Sequence, residues 1–168
     1  MFESRVLGVD PGVASVGIAA VEVRDRRPSL LWAGTTRTQP GLAEEARLRT
    51  IHEAIVAAIA EHDPSSVAVE RVAWNTNQVS ALAVARSTGV ILLAASEAGL
   101  AVEEYGPLEV KMAVTGVGNA SKAQVRAALT RLHGLEGVPR QPDAADAVAV
   151  ALCHMQQSRL RRVSRAAR

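Results

Sequence analysis

The stretch "RVLGVDPGVASVGIAAVEVRDRRPSLLWAGTTRT", residues 5–38, decides the fold. "RVLGVD" is a short apolar run closed by "PG", "SVGIAAVEV" is a second run rich in β-branched residues, and "LLWAGTTRT" a third after the polar turn "RDRRP". Short apolar segments punctuated by Gly, Pro and charged clusters read as strands, and three in succession make a meander. Outward from it the period changes. Between Leu42 and His62 the residues Leu48, Ile51, Ile55 and Ile59 recur at helical spacing, with Glu44 and Glu45 early and "DP" at the end. "SVAVERV" (66–72) is a fourth strand, the span from Val79 to Ala98 a long Ala-rich helix, and "AVEEY" (101–105) a fifth strand.

Three helices complete the order. "LEVKMAVTG" is short; "SKAQVRAALTRLH" opens on a capping box, in which Ser121 and Gln124 answer each other's backbone N–H; "QPDAADAVAVALCH" (141–154) is the last. A meander followed by alternating units predicts an α/β protein: a mixed five-stranded sheet with helices on both faces.

Composition bounds the class. The chain has 168 residues, 48% of them hydrophobic, which suffices for one core without staples. One cysteine, Cys153, excludes an intrachain disulfide and a cysteine zinc site, and reads as a small core residue. No signal stretch opens the chain, and no run reads as a membrane span, so a cytoplasmic protein without a membrane partner is expected. The net charge is +2, but the last ten residues hold five arginines and no acid, leaving −3 for residues 1–158. The expected organisation is therefore one domain over 1–158 and a basic tail over 159–168, which either binds phosphates or is simply solvated. Lys111 and Lys122 are the only lysines among 19 basic residues, hinting at positions that want a compact point charge.

Four carboxylates stand out, each with an ordinary explanation. Asp10 in "DPG" suits the start of a turn. Glu70 ends a strand, where an exposed acid is commonplace. Asp143 and Asp146, three apart, share a helix face at ~100° per residue, and a cap with an acid one turn on accounts for both. The topology joins them. Strands one and four are expected to be parallel neighbours, so Asp10 and Glu70 share the carboxyl edge of the sheet, where α/β folds bind ligands. A helix head packed over that edge would add Asp143 and Asp146. Converging carboxylates repel unless cations intervene, and all-oxygen ligation suits Mg²⁺ or Mn²⁺. Two such ions about 4 Å apart are suited to phosphodiester hydrolysis.

"LGVDPG", "VAVERV…N", "YGPLEVKMAVTGVGNASKAQV" and "DAADAVAVALCH" occur in the order and spacing of the RuvC family of Holliday-junction resolvases, within the ribonuclease-H-like superfamily; the resemblance runs from Arg5 to His154. It implies a homodimer that makes paired cuts in a four-way DNA junction, acting at the nucleoid beside the branch-migration proteins RuvA and RuvB. The family's acidic positions fall on Asp10, Glu70, Asp143 and Asp146. Asp10 would bridge two Mg²⁺ ions, Mn²⁺ substituting, and Lys111 and Lys122 would complete the catalytic set and contact DNA. Asn77 and Ser80 match the pattern after the fourth strand. One departure is that Ala73 stands where family members commonly carry Phe; Trp74 follows it as the candidate to stack on a junction base, or as a buried core residue.

Three other readings compete. A junction-binding protein with weak or lost cleavage follows from the absent Phe. An actin-like phosphotransferase lacks room for a second domain. "GVGNASK" is not a P-loop, since Ser121 replaces the second Gly and Ala123 the Mg²⁺-binding Ser or Thr. On the long helix, Ala81, Ala85 and Gly89 would let a second helix approach closely, within the chain or across a dimer.

Overall fold

The computed structural model describes residues 5–72 and 78–166. Strands β1 (Arg5–Asp10), β2 (Ser15–Arg24) and β3 (Arg27–Arg37) form the antiparallel meander; β4 (Ser66–Glu70) and β5 (Ala101–Tyr105) add in parallel on the other side of β1. The sheet order is β3-β2-β1-β4-β5. Helices α1 (Glu44–His62) and α2 (Gln78–Glu97) cover one face, and α3 (Pro107–Thr115), α4 (Lys122–Arg131) and α5 (Pro142–Ala166) the other. This is the mixed sheet with two helical layers that the periodicity implies.

Alternation along β1 feeds both cores. Leu7 and Val9 pack with Ile51, Ile55 and Ile91 under α1 and α2, whereas Val6 packs with Val148, Leu152 and Leu129 under α5 and α4. The α5 side is unusually close. A Cβ on Gly8 would lie 2.2 Å from the carbonyl oxygen of Ala147, and one on Gly17 would lie 1.9 Å from that of Asp143. Glycine at these two strand positions, with Ala144, Ala147 and Ala151 on the helix, lets α5 settle onto β1 and β2 backbone to backbone. Asp10 pairs with Gly17, so the same contact brings the head of α5 to the carboxyl end of β1.

Several boundaries differ from the sequence reading. The turn between β2 and β3 is only Asp25–Arg26, both at positive φ (50° and 66°), as in a type I′ hairpin. Pro28 therefore lies within β3, where an edge strand tolerates its missing N–H. Asp143 is not the cap of α5. Pro142 takes the first helical position, for which its fixed φ is suited, and Asp143 falls inside the first turn, where its charge still meets the positive end of the dipole. Helix backbone also continues to Ala166, through most of the arginine-rich stretch. Against the expectation that no run could span a membrane, α2 is long and apolar enough to cross one by length and composition. Here it packs Ala81, Ile91, Ala94 and Ala95 into the domain, and Arg86, at mid-helix, pairs with Glu44 of α1. The Ser121–Gln124 capping box at α4 forms as expected, with bonds of 3.2 and 2.8 Å.

Candidate metal and nucleic-acid site

Val9 pairs with Val69, and the next residue on each parallel strand is Asp10 and Glu70, so two carboxylates leave the sheet side by side. The two carboxyls lie close enough for each to shift the other's ionisation. Burial, then the charges of Glu70, Asp146 and Asp143, push the Asp10 carboxyl up to about 9. Burial also raises Glu70, with Asp146 adding to the effect and the hydrogen bond from Asp10, Lys122 and Lys111 opposing it. In the metal-free protein the pair therefore retains a proton at neutral pH.

The other two acids arrive on α5. Asp143 accepts a hydrogen bond from Ser15 Oγ at the start of β2, and Asp146 forms an ion pair with Lys122 at the first position of α4. That contact raises the lysine above its ordinary range. Ser121 and Gln124 fix the α4 N-terminus and so the place from which Lys122 reaches. Lys111, on α3, lines with Glu70, Lys122 and Asp146 an open cavity of about 210 Å³. The structure thus draws Asp10, Glu70, Asp143 and Asp146 into one charge-coupled group, with Lys111 and Lys122 at its rim. Ser80 is exposed on α2 and lines a different cleft with Val13, Ala14 and Arg47. Trp74 and Asn77 lie outside the described residues.

Among the described residues, no group of three or more His, Cys, Asp or Glu side chains is placed, as it stands, to hold a metal ion. Asp143 is turned onto Ser15 and Asp146 onto Lys122. The chemistry of the donor set nevertheless fits a hard divalent cation. Four carboxylates supply only oxygen, and the structure holds their mutual repulsion in check with a retained proton and a lysine, the two positive charges a cation would replace.

Sequence reading missed the residues that hold the Asp10 turn. Ser87, fully buried in α2, donates to the carbonyl of Gly12 at 3.1 Å. Thr38 donates through Oγ1 to the Val13 carbonyl at 2.6 Å and through its backbone N–H to Ala14 at 3.1 Å, and Arg47 Nε donates to the same hydroxyl at 2.8 Å. The signal was present: a buried hydroxyl in an apolar helix needs a partner. Its partner is a loop 75 residues away and leaves no trace in local pattern.

The family model described as crossover junction endodeoxyribonuclease RuvC matches residues 6–154. The enzyme of that name from Thermotoga petrophila is 42% identical over 95% of this chain and 97% of its own length. That from Moorella thermoacetica is 48% identical over 89% of each. Among solved structures, T. thermophilus RuvC in complex with a Holliday junction substrate superposes with a TM-score of 0.87 and 34% identity, over 94% of this chain and 96% of that one. Family model, sequence and fold agree over nearly the whole length: the chain belongs to the RuvC family of crossover junction endodeoxyribonucleases, with its ribonuclease-H-like fold.

Proposed function

We propose that this protein resolves four-way DNA junctions by metal-dependent phosphodiester hydrolysis, with Asp10, Glu70, Asp143 and Asp146 as the acidic centre and Lys111 and Lys122 as the phosphate-holding cations. The observation that carries the reading is geometric: Asp10 and Glu70 leave the adjacent parallel strands β1 and β4 side by side, and the head of α5, with Asp143 and Asp146, packs on Gly17 beside them. A pair of divalent cations, Mg²⁺ or Mn²⁺, would supply charge neutralisation at the phosphate and an activated water. Asp10 lies between Glu70 and the α5 acids and serves both sides. Ser15 keeps Asp143 oriented, and the Asp10 turn is fixed from behind by Ser87 and Thr38. Lys122 neutralises Asp146 in the metal-free protein and, with Lys111 on the same cavity, is the cation that would hold a phosphate oxygen.

Paired incision calls for two such sites, and the open side of α2 supplies a surface for a homodimer. Val79 is 75% exposed, Leu82 53% and Leu93 52%, and a Cβ placed on Gly89 would meet nothing within 4 Å. Asn77 and Ser80 are assigned to the junction strands on the family pattern, and Trp74, one residue past the position where the family carries Phe, as the candidate to stack on a junction base. Action in the cytoplasm at the nucleoid, beside RuvA and RuvB, belongs to the same reading. A labelled four-way junction incubated with the protein and Mg²⁺ tests it: symmetric nicks in opposed strands are expected, with none on linear duplex. Tight junction binding without nicks would instead favour the binding-only alternative raised by Ala73.

A further inference from the structure

We propose that Ser87 and Thr38 are positioning residues for metal binding: they lock the turn 11–14, which has Asp10 at one end and Ser15, the anchor of Asp143, at the other. Their role rests on the reading of the four carboxylates as a metal centre, and adds the part of the fold that sets how tightly a cation is held.

The turn joins the last residue of β1 to the first of β2. Asp10 stands immediately before it, and Ser15, whose Oγ donates to Asp143, immediately after. One short loop therefore governs two of the four acids. It has little slack of its own, since a Cβ on Gly12 would lie 2.4 Å from the Ser15 carbonyl oxygen. Three successive carbonyls of the loop are each claimed from outside it: Gly12 by Ser87 Oγ at 3.1 Å, Val13 by Thr38 Oγ1 at 2.6 Å, and Ala14 by the Thr38 backbone N–H at 3.1 Å. Ser87 reaches from α2, on the sheet face opposite α5, and Thr38 from just past β3.

These hydroxyls serve the loop rather than their own elements. Ser87 and Thr88 are adjacent buried residues of one helix, and Thr88 makes the ordinary local bond, donating to the Val84 carbonyl four residues back at 3.0 Å. Ser87 instead leaves the helix for Gly12, at a position where Ala would favour the helix more and bury no polar atom. At Thr38 the direction of the hydroxyl is fixed. Arg47 Nε can only donate, and does so to Thr38 Oγ1 at 2.8 Å, which leaves the hydroxyl hydrogen for Val13. Thr38 is 6% exposed and Ser87 fully buried, so neither bond has bulk water as a ready substitute. Carboxylates that repel one another before a cation arrives need a scaffold that does not give way. A loop held at three consecutive carbonyls supplies one.

Ser87→Ala and Thr38→Val each remove one hydroxyl at nearly constant shape, and Thr38→Ser restores it. Mn²⁺ binding to the full chain, without DNA, is followed by the electron paramagnetic resonance signal of the free ion. Groups that hold a metal ligand in place typically contribute about 10- to 100-fold in affinity, so the dissociation constant should rise ~10-fold or more in Ser87→Ala and in Thr38→Val. It should return close to the wild-type value in Thr38→Ser. Junction affinity in EDTA and the far-UV circular dichroism spectrum should match the wild type in all three. An unaltered Mn²⁺ constant in either hydroxyl-free variant overturns the proposal. So does a weakened constant that Thr38→Ser does not restore or that comes with an equal loss of metal-free junction binding, and so does loss of the fold in both variants, since the hydroxyls would then be merely structural. If only one variant fails to fold, the other decides. Wild-type protein that binds Mn²⁺ and loses it with Asp10→Asn, yet cuts no junction, would leave these positioning roles standing and refute the enzyme reading. A wild type that binds no Mn²⁺ refutes the metal centre and the positioning roles together.

Discussion

The two helical layers are packed to opposite standards. α5 sits so close to the sheet that Gly8 and Gly17 have no room for a side chain, whereas α2 leaves Val79, Leu82 and Leu93 largely in solvent. The tight layer carries Asp143 and Asp146 to within electrostatic reach of Asp10. Where charge must be placed against charge, an error of ~1 Å is costly, and small residues in backbone contact remove the freedom to make it. The loose layer has an unfinished face, which suits contact with another surface. Precision is concentrated on the side that carries the proposed site.

That contrast can be broken at graded cost. Asp10→Asn should leave the tight layer intact yet reduce junction nicking by ~10³-fold or more, because it removes a charge aimed at the reacting centre. Metal-free junction binding should persist, and retention of near-normal nicking would exclude Asp10 from the site. Gly8→Val attacks the packing itself. The new side chain meets Ala147 and Ala151, so a loss of ~1–3 kcal/mol or more in urea unfolding is expected, with nicking falling in proportion to folded protein or faster.

A third measurement isolates the buried acids. Their raised pKa values mean that the folded, metal-free protein binds more protons than the unfolded chain between the ordinary carboxylate range and about 9. This contribution to stability is full at low pH and is lost as pH rises through that window. Melting temperatures in EDTA should therefore show a site-specific decline from about pH 5 to 8 that Asp10→Asn reduces, leaving the part due to the burial of Glu70. Added Mg²⁺ should stabilise more at the upper end of that range than at the lower. The smallest effect belongs to the loose layer: Leu82→Lys should change monomer stability by no more than ~0.5 kcal/mol while shifting sedimentation towards the monomer.

Much of this arrangement was legible in the chain. β1 and β5 begin and end where apolar runs meet Gly, Pro and Asp, and the parallel pairing that sets Asp10 beside Glu70 follows from element order. The α4 cap was readable because Ser121 and Gln124 are three residues apart. What was hidden lies at long range. The start of α5 turned on Pro142 competing with Asp143 for the head of the helix, a contest that local preference leaves open. The hairpin took two non-glycine residues into positive φ, so its turn was shorter than composition suggested. Ser15, Thr38, Arg47 and Ser87 act on partners brought near only by the finished fold.

Gly17 has one more consequence. It bears no functional group, yet any replacement lifts Asp143 away from the sheet. In a saturation library scored by activity, substitutions at Gly17 would be indistinguishable from substitutions at the carboxylates, and a map of intolerance would draw the active site one strand too wide. Scoring cellular abundance alongside activity separates the two, since a carboxylate variant stays abundant and inert while a glycine variant disappears.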